Sequence, residues 1–116
     1  MPKIKIKVGI KNDNHDDIFE TNAIIEEGKL KYREKDDTRV IFSFDDSHLK
    51  RENNQLKMNY YFDLENNTKG ILYIKELQKE MELSIITKEI TKDNNNIKIE
   101  FYIEDNHFLY YIEEVN

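Results

Sequence analysis

The chain has 116 residues, enough for one ordinary domain with a single core, and a formal net charge of -6. Charged residues make up 36% and apolar ones only 38%, a balance close to disorder, yet seven Tyr and six Phe supply large buriable areas that a disordered tail lacks. The acidic balance speaks against a nucleic-acid binder, and the absence of cysteine excludes disulfides, thiolate metal sites and thiol catalysis and points to a reducing, cytoplasmic compartment.

The first element is an alternation in which Lys3, Lys5 and Lys7 interleave with Ile4, Ile6, Val8 and, further on, Ile10. Its lysines read as the solvent face of a strand rather than a binding patch. It holds no continuous apolar run of the kind a signal peptide or membrane span needs. Asn12 to Asp17 follows as a turn. Asn12, Asn14 and Asp16 match the first calcium-ligand positions of an EF-hand loop, but Asp17 stands where Gly is required and Ala23 where Glu is required, so the match fails. Next come the turn Glu27-Gly28, the stripe Leu30 and Tyr32, the turn Lys35 to Asp37, and the stripe Val40, Phe42 and Phe44. Asp45 to Ser47 and Asn53-Asn54 are further turns, followed by the stripe Leu56, Met58, Tyr60 and Phe62, the turn Asn66-Asn67, and the pair Ile71 and Tyr73. Asn and Asp do here what Gly and Pro usually do, since both enter left-handed conformations and bond their own backbone.

The stretch from Ile74 to Asp93 supports two readings. Ile74, Leu77, Met81 and Ile85 fit a helical face, while Met81, Leu83, Ile85 and Thr87 alternate as a strand. Strand is the reading adopted, with one short helical turn near 74–80. After the turn Asp93 to Asn96 come Ile97, Ile99, Phe101 and Ile103, then the turn Glu104 to Asn106, then Phe108, Tyr110 and Ile112. Short alternating strands without long helical patterns between them predict an all-β, antiparallel sandwich or up-and-down barrel of about eight to ten strands, one domain over residues 1–116.

Several of these segments carry a resemblance. Lys31-Tyr32-Arg33-Glu34, the later Arg51, Leu56-Lys57-Met58-Asn59-Tyr60-Tyr61-Phe62, Met81-Glu82-Leu83, Thr87-Lys88-Glu89-Ile90 and Ile97-Lys98-Ile99-Glu100-Phe101 resemble, in order and spacing, the YwiB-like domain family of unknown function. The resemblance implies a calycin-type, lipocalin-like barrel and implies no activity. Leu77-Gln78-Lys79 departs from the Pro-Phe-Gly turn that relatives often carry, which puts that turn's geometry in doubt. The abundance of Asn, Lys and Ile is similar to residue usage in an AT-rich bacterial genome and carries no functional weight.

Tyr32 and Glu34 lie two apart and so share the inner face with Leu30. An inward carboxylate needs a partner, and Arg51, with its planar fork, is the candidate. Tyr32, Glu34, Arg51, Met58 and Tyr60 form the candidate ligand-binding set, able to orient the polar end of a small, partly apolar molecule. The same pair also reads as an internal ion pair fixing strand register, or as a rim contact. His15, His48 and His107 lie in or beside turns without metal-ligand spacing; Ser43, Ser47 and Ser84 lack a nucleophile elbow; no Gly-rich loop cradles phosphate. No catalytic residue, metal or cofactor is therefore expected. Outward Tyr61, Leu109 and Tyr111 would form a homodimer patch only if their strands pair. The sequence thus ranks three functions: a binding module, an interaction or structural module with a filled barrel, and an enzyme using an inward carboxylate as general base. No nucleic-acid or membrane partner is expected.

Overall fold

A computed structural model describes residues 3–115. Ten strands follow one another: β1 (Lys3–Asn12), β2 (Asp16–Glu26), β3 (Lys29–Arg33), β4 (Arg39–Ser43), β5 (His48–Glu52), β6 (Leu56–Tyr61), β7 (Thr68–Ile74), β8 (Lys79–Asp93), β9 (Asn96–Ile103) and β10 (Asn106–Val115). Each bonds its sequence neighbours in antiparallel fashion, and β1 returns to β10, so the sheet closes into a barrel. No helix occurs among the described residues.

Tight turns make the meander. Glu27-Gly28, Asn94-Asn95 and Glu104-Asp105 each join two strands with two residues, and Glu27, Gly28, Asn94 and Glu104 take positive φ there. That left-handed geometry matches the twist of paired strands, which explains the use of Asn and Gly and marks Glu27 and Glu104 as less favoured occupants. Cross-strand registers then fix which face of each strand points inward. One inner row runs Ile25, Leu30, Phe42, Leu49, Tyr60, Gly70 and Leu83. Its neighbour runs Ala23, Tyr32, Val40, Arg51, Met58, Leu72 and Met81.

Ile6, Leu30, Val40, Phe42, Ile85, Ile99 and Ile112 are fully excluded from solvent and pack the interior together. Burial of each such side chain contributes about 1.5–3 kcal/mol. A β-bulge between Thr87 and Glu89 changes the alternation of β8, so Thr87, opposite Phe101, and Ile90, opposite Ile99, both face inward.

Three expectations are corrected. The stripes picked from the sequence omit β2 and β5, whose alternation is diluted by the inward Thr21 and Ala23 and the outward apolar Ile18 and Ile24 in β2 and by the inward Arg51 in β5. The helical turn expected near 74–80 is a hairpin turn, Lys75 to Gln78, in which the Gln78 amide donates to the Lys75 carbonyl at 3.3 Å. Helix propensities of a few tenths of a kcal/mol per residue do not compete with the β7–β8 ladder, which pairs Ile74 with Lys79. Ile71 and Tyr73 face outward, because Gly70 opposes Tyr60 and Leu72 opposes Met58 on the inner face.

Gly70 lets the Tyr60 ring lie against the inner wall: a Cβ there would sit 2.7 Å from Tyr60 Cδ1 and 3.0 Å from Ile85 Cδ1. Gly9 lies under the outward Tyr111 ring, whose far end would meet a Cβ at 2.2 Å but is free to swing toward solvent. Gly70→Ala is therefore expected to cost about 1–3 kcal/mol, and Gly9→Ala distinctly less, in matched urea denaturation. Equal costs would contradict the inward placement of Gly70.

Candidate functional site

The turns at 13–15, 34–38, 53–55, 75–78 and 104–105 gather at one end of the barrel, and the polar members of the inner wall lie near it. Glu34 follows the last residue of β3. Its amide donates to the Thr38 carbonyl at 2.9 Å, which continues the inward alternation of Leu30 and Tyr32 into the turn. Arg51 stands on β5 between Val40 and Met58, and its inward position follows from that register. Arg51 Nη2 donates to Glu34 Oε1 at 2.5 Å, with side-chain exposures of 26% and 10%.

The contact is single. Glu34 Oε2 and Arg51 Nε are both shielded from solvent and have no hydrogen-bond partner among the described residues. A bidentate fork would have matched such a nitrogen with such an oxygen. A buried donor or acceptor left unpaired costs about 1–3 kcal/mol, more when charged, so this arrangement stands out against the packed apolar interior.

Tyr32 extends across the interior to Tyr110 of β10, and their hydroxyls bond at 2.7 Å. Two hydroxyls sharing one hydrogen bond retain one O–H without an acceptor in the pair. Burial pushes the Tyr32 hydroxyl well above the ordinary tyrosine range, helped by Tyr110 and the Glu34 charge and opposed by Arg51. Burial does the same to Tyr110, against the pull of the Tyr32 bond and Arg51. Tyr60 is likewise raised by burial, with Arg51 acting the other way. For Arg51, burial alone would weaken the cation, but the hydrogen bond and charge of Glu34 more than reverse this. The cluster thus keeps its tyrosines neutral and its guanidinium charged.

Beside the pair the wall is apolar and incomplete. β8 runs for 15 residues, yet its first pair with β9 is Ile85 with Ile103, so Lys79 to Ser84 pairs with β7 alone. Among the described residues the Glu104 turn bonds to the end of this edge: its amide donates to the Ser84 carbonyl and its carboxylate accepts from the Ser84 amide, both at 3.0 Å. On the inner face of this projecting hairpin Leu72 and Leu83 are half-buried, as is Met58 of the adjoining β6, and Met81 is 42% exposed. Met58 and Leu72 thus continue the inner row that starts at Arg51, and Met81 ends it at the free edge of β8.

The structure brings together all five residues singled out in the sequence: Tyr32 and Tyr60 are buried, Glu34 pairs with Arg51, and Met58 is the cross-strand partner of Arg51. It adds Tyr110, which belongs to a recognised stripe but whose meeting with a residue 78 positions away has no local signal. His48 lies on the outer wall, stacked on Tyr61 at 4.3 Å and bonded to Asn59 at 2.9 Å. His107 pairs with Glu100 at 2.7 Å. Tyr61 does not join Leu109 and Tyr111, because β6 lies between β5 and β7 whereas β10 lies between β9 and β1. Among the described residues no helix is long and apolar enough to cross a membrane.

Fold and site together define a small closed antiparallel β-barrel with a polar cluster buried at one mouth. In fold it is similar to the crystal structure of the ywiB protein from Bacillus subtilis, with a TM-score of 0.59 and 18% identity over 98% of this chain and 91% of that one. No protein-family model matches the chain, and no curated protein matches it.

Tyr110→Phe leaves the Tyr32 hydroxyl buried without its partner and is expected to cost about 1–3 kcal/mol. Tyr32→Phe should cost a similar amount. The double variant should cost clearly less than the sum of the two in urea denaturation, and additivity would rule out the pairing. The raised tyrosines also set an alkaline limit. A folded-state pKa above the unfolded value of about 10 stabilises the protein below that pH and withdraws the stabilisation as pH rises past it. Tyrosinate absorbance from Tyr32 and Tyr110 should therefore appear together with loss of the β circular-dichroism signal, and its appearance in the folded protein would contradict their burial.

Proposed function

We propose that this chain is a calycin-like binding module that holds a small, partly apolar molecule at the Glu34 mouth, its polar end on the Glu34–Arg51 pair. The observation that carries the reading is the pair's unused hydrogen-bonding capacity, the Glu34 Oε2 acceptor and the Arg51 Nε donor, in one row with the apolar Met58, Leu72 and Met81. Ligand sites have this composition, mostly apolar lining with a few placed polar groups. The deep interior is occupied by Phe42, Leu30, Ile85 and Ile99, so the ligand is placed at the mouth rather than along the barrel axis. The reading includes a cytoplasmic location, supported by the lack of cysteine, and gives the ligand no reacting group to meet.

A second reading, an interaction module with a filled barrel, is favoured by the one-sided pairing of Lys79 to Ser84, whose free backbone edge is bonded, among the described residues, by the Glu104 turn at Ser84. An outer-wall groove of about 730 Å³, lined by Tyr61, Ile71 and Tyr73 among polar side chains, offers a further contact surface. A homodimer built on these features is the form this reading takes.

The test is a methyl NMR titration with 1-octanol. The Met58 and Met81 signals should shift with saturation, and Met81→Lys, at an exposed position, should abolish the effect while leaving the thermal midpoint nearly unchanged. No shift up to the solubility limit of the alcohol would sink the binding reading.

A further inference from the structure

The outer wall over β2 to β4 carries charge of one sign. A groove of about 490 Å³ there is bordered by Lys3, Lys31, Arg33 and Arg39 and by no carboxylate. Other grooves mix the signs, Glu52 with Lys57 in one and Lys98 with Glu113 in another. In a chain of net charge -6 an unmixed cationic rim is unexpected.

The strand registers build this rim. Lys3 opposes Ile24, Ile24 opposes Lys31, Lys31 opposes Ile41 and Ile41 opposes Lys50, so one outer row alternates cation and isoleucine across five strands. Ile24 and Ile41 are half-buried and floor the groove. In the next outer row Arg33 stands directly opposite Arg39. Because the Glu34 amide bonds the Thr38 carbonyl, the ladder's bonds fall at Glu34 and Thr38, and Arg33 with Arg39 is the adjacent non-hydrogen-bonded pair, where side chains come closest. Like charges directly opposite are destabilising. Arg33 uses Nη1 on Asp37 at 2.9 Å, whereas Glu52, the cross-strand neighbour of Arg39, is bonded to Lys75 at 3.0 Å. Among the described residues the Arg39 guanidinium has no ion-pair partner.

An oxyanion between the two guanidiniums removes their repulsion and accepts hydrogen bonds from two planar forks. A bare inorganic ion would leave the isoleucine floor unused, and a cation would meet only like charge. The volume falls within the range of small-molecule sites, about 300–1,000 Å³. We infer that this groove binds a small amphiphilic oxyanion, a carboxylate or phosphate monoester on an apolar chain, with the oxyanion on Arg33 and Arg39 and the chain on Ile24 and Ile41. The site lies on the outside of the barrel and does not rest on the reading of the Glu34 mouth.

The experiment follows the Ile24 and Ile41 methyl NMR signals during titration with octyl phosphate, octanoate, octylammonium and inorganic phosphate, the amphiphiles kept below micelle formation. Octyl phosphate, octanoate or both should shift the two signals to saturation, the tighter one naming the head group, and octylammonium should not. Inorganic phosphate should bind at least about tenfold more weakly than octyl phosphate, for want of the chain. Arg39→Gln, at an exposed position, should weaken the tighter anion at least about tenfold. Lys98→Gln removes the same charge from β9 and should weaken it less than about twofold. Equal weakening by the two variants would mean attraction to charge in general and overturns the inference. So does octylammonium acting like the anions, inorganic phosphate matching octyl phosphate, or shifts confined to Met58 and Met81. Silence toward both anions overturns it as well, and sedimentation with phosphatidylglycerol vesicles in that case would make the cationic row a membrane-facing surface instead.

Discussion

The pairing of β1 with β10, from Lys5 opposite Val115 to Asn12 opposite Phe108, is the contact on which the rest of the structure depends. Without it the ten strands would be an open meander with a free edge at each end and an inner face too wide for its own side chains to cover. Closure gives every strand two partners and brings residues from the two ends of the chain into one interior. The Tyr32–Tyr110 bond exists only because of it.

Inside such a wall, polar groups are expensive, and the barrel concentrates them rather than scattering them. Tyr32, Glu34, Arg51 and Tyr110 occupy neighbouring places near one end, where the tyrosine hydroxyls bond each other and the charges neutralise each other. The opposite arrangement, four polar groups each surrounded by hydrocarbon, would cost far more. The clustering leaves a remainder among the buried charged atoms, the Arg51 Nε donor and the Glu34 Oε2 acceptor.

The one-sided pairing of Lys79 to Ser84 comes from unequal strands. β4 and β5 have five residues each and β8 has 15. A long strand beside the shorter β9 must project, and the projecting part keeps the apolar inner face that its alternation prescribes, with Met81 turned toward solvent instead of toward a core. Lys79, Glu80 and Glu82 on the same segment are the charged residues that discourage indiscriminate edge pairing.

The antiparallel barrel class and most turns were legible in the sequence, because strand alternation and the left-handed preferences of Asn, Asp and Gly are local and survive without neighbours. Glu34 with Arg51 was legible as well: an alternation of period two puts the carboxylate on the same face as Leu30, and a buried anion demands a cation. The sequence could not say which face of Ile71-Leu72-Tyr73 turns inward, since both are apolar and only the register against Met58 and Tyr60 decides. Nor could it reveal Tyr110 as the partner of Tyr32, the hairpin turn hidden in the helix-forming run Lys75 to Gln78, or the free edge of β8. Local patterns come from each residue's own backbone preferences and alternate burial; pairings between distant strands come from closure of the whole sheet, a property no segment carries alone.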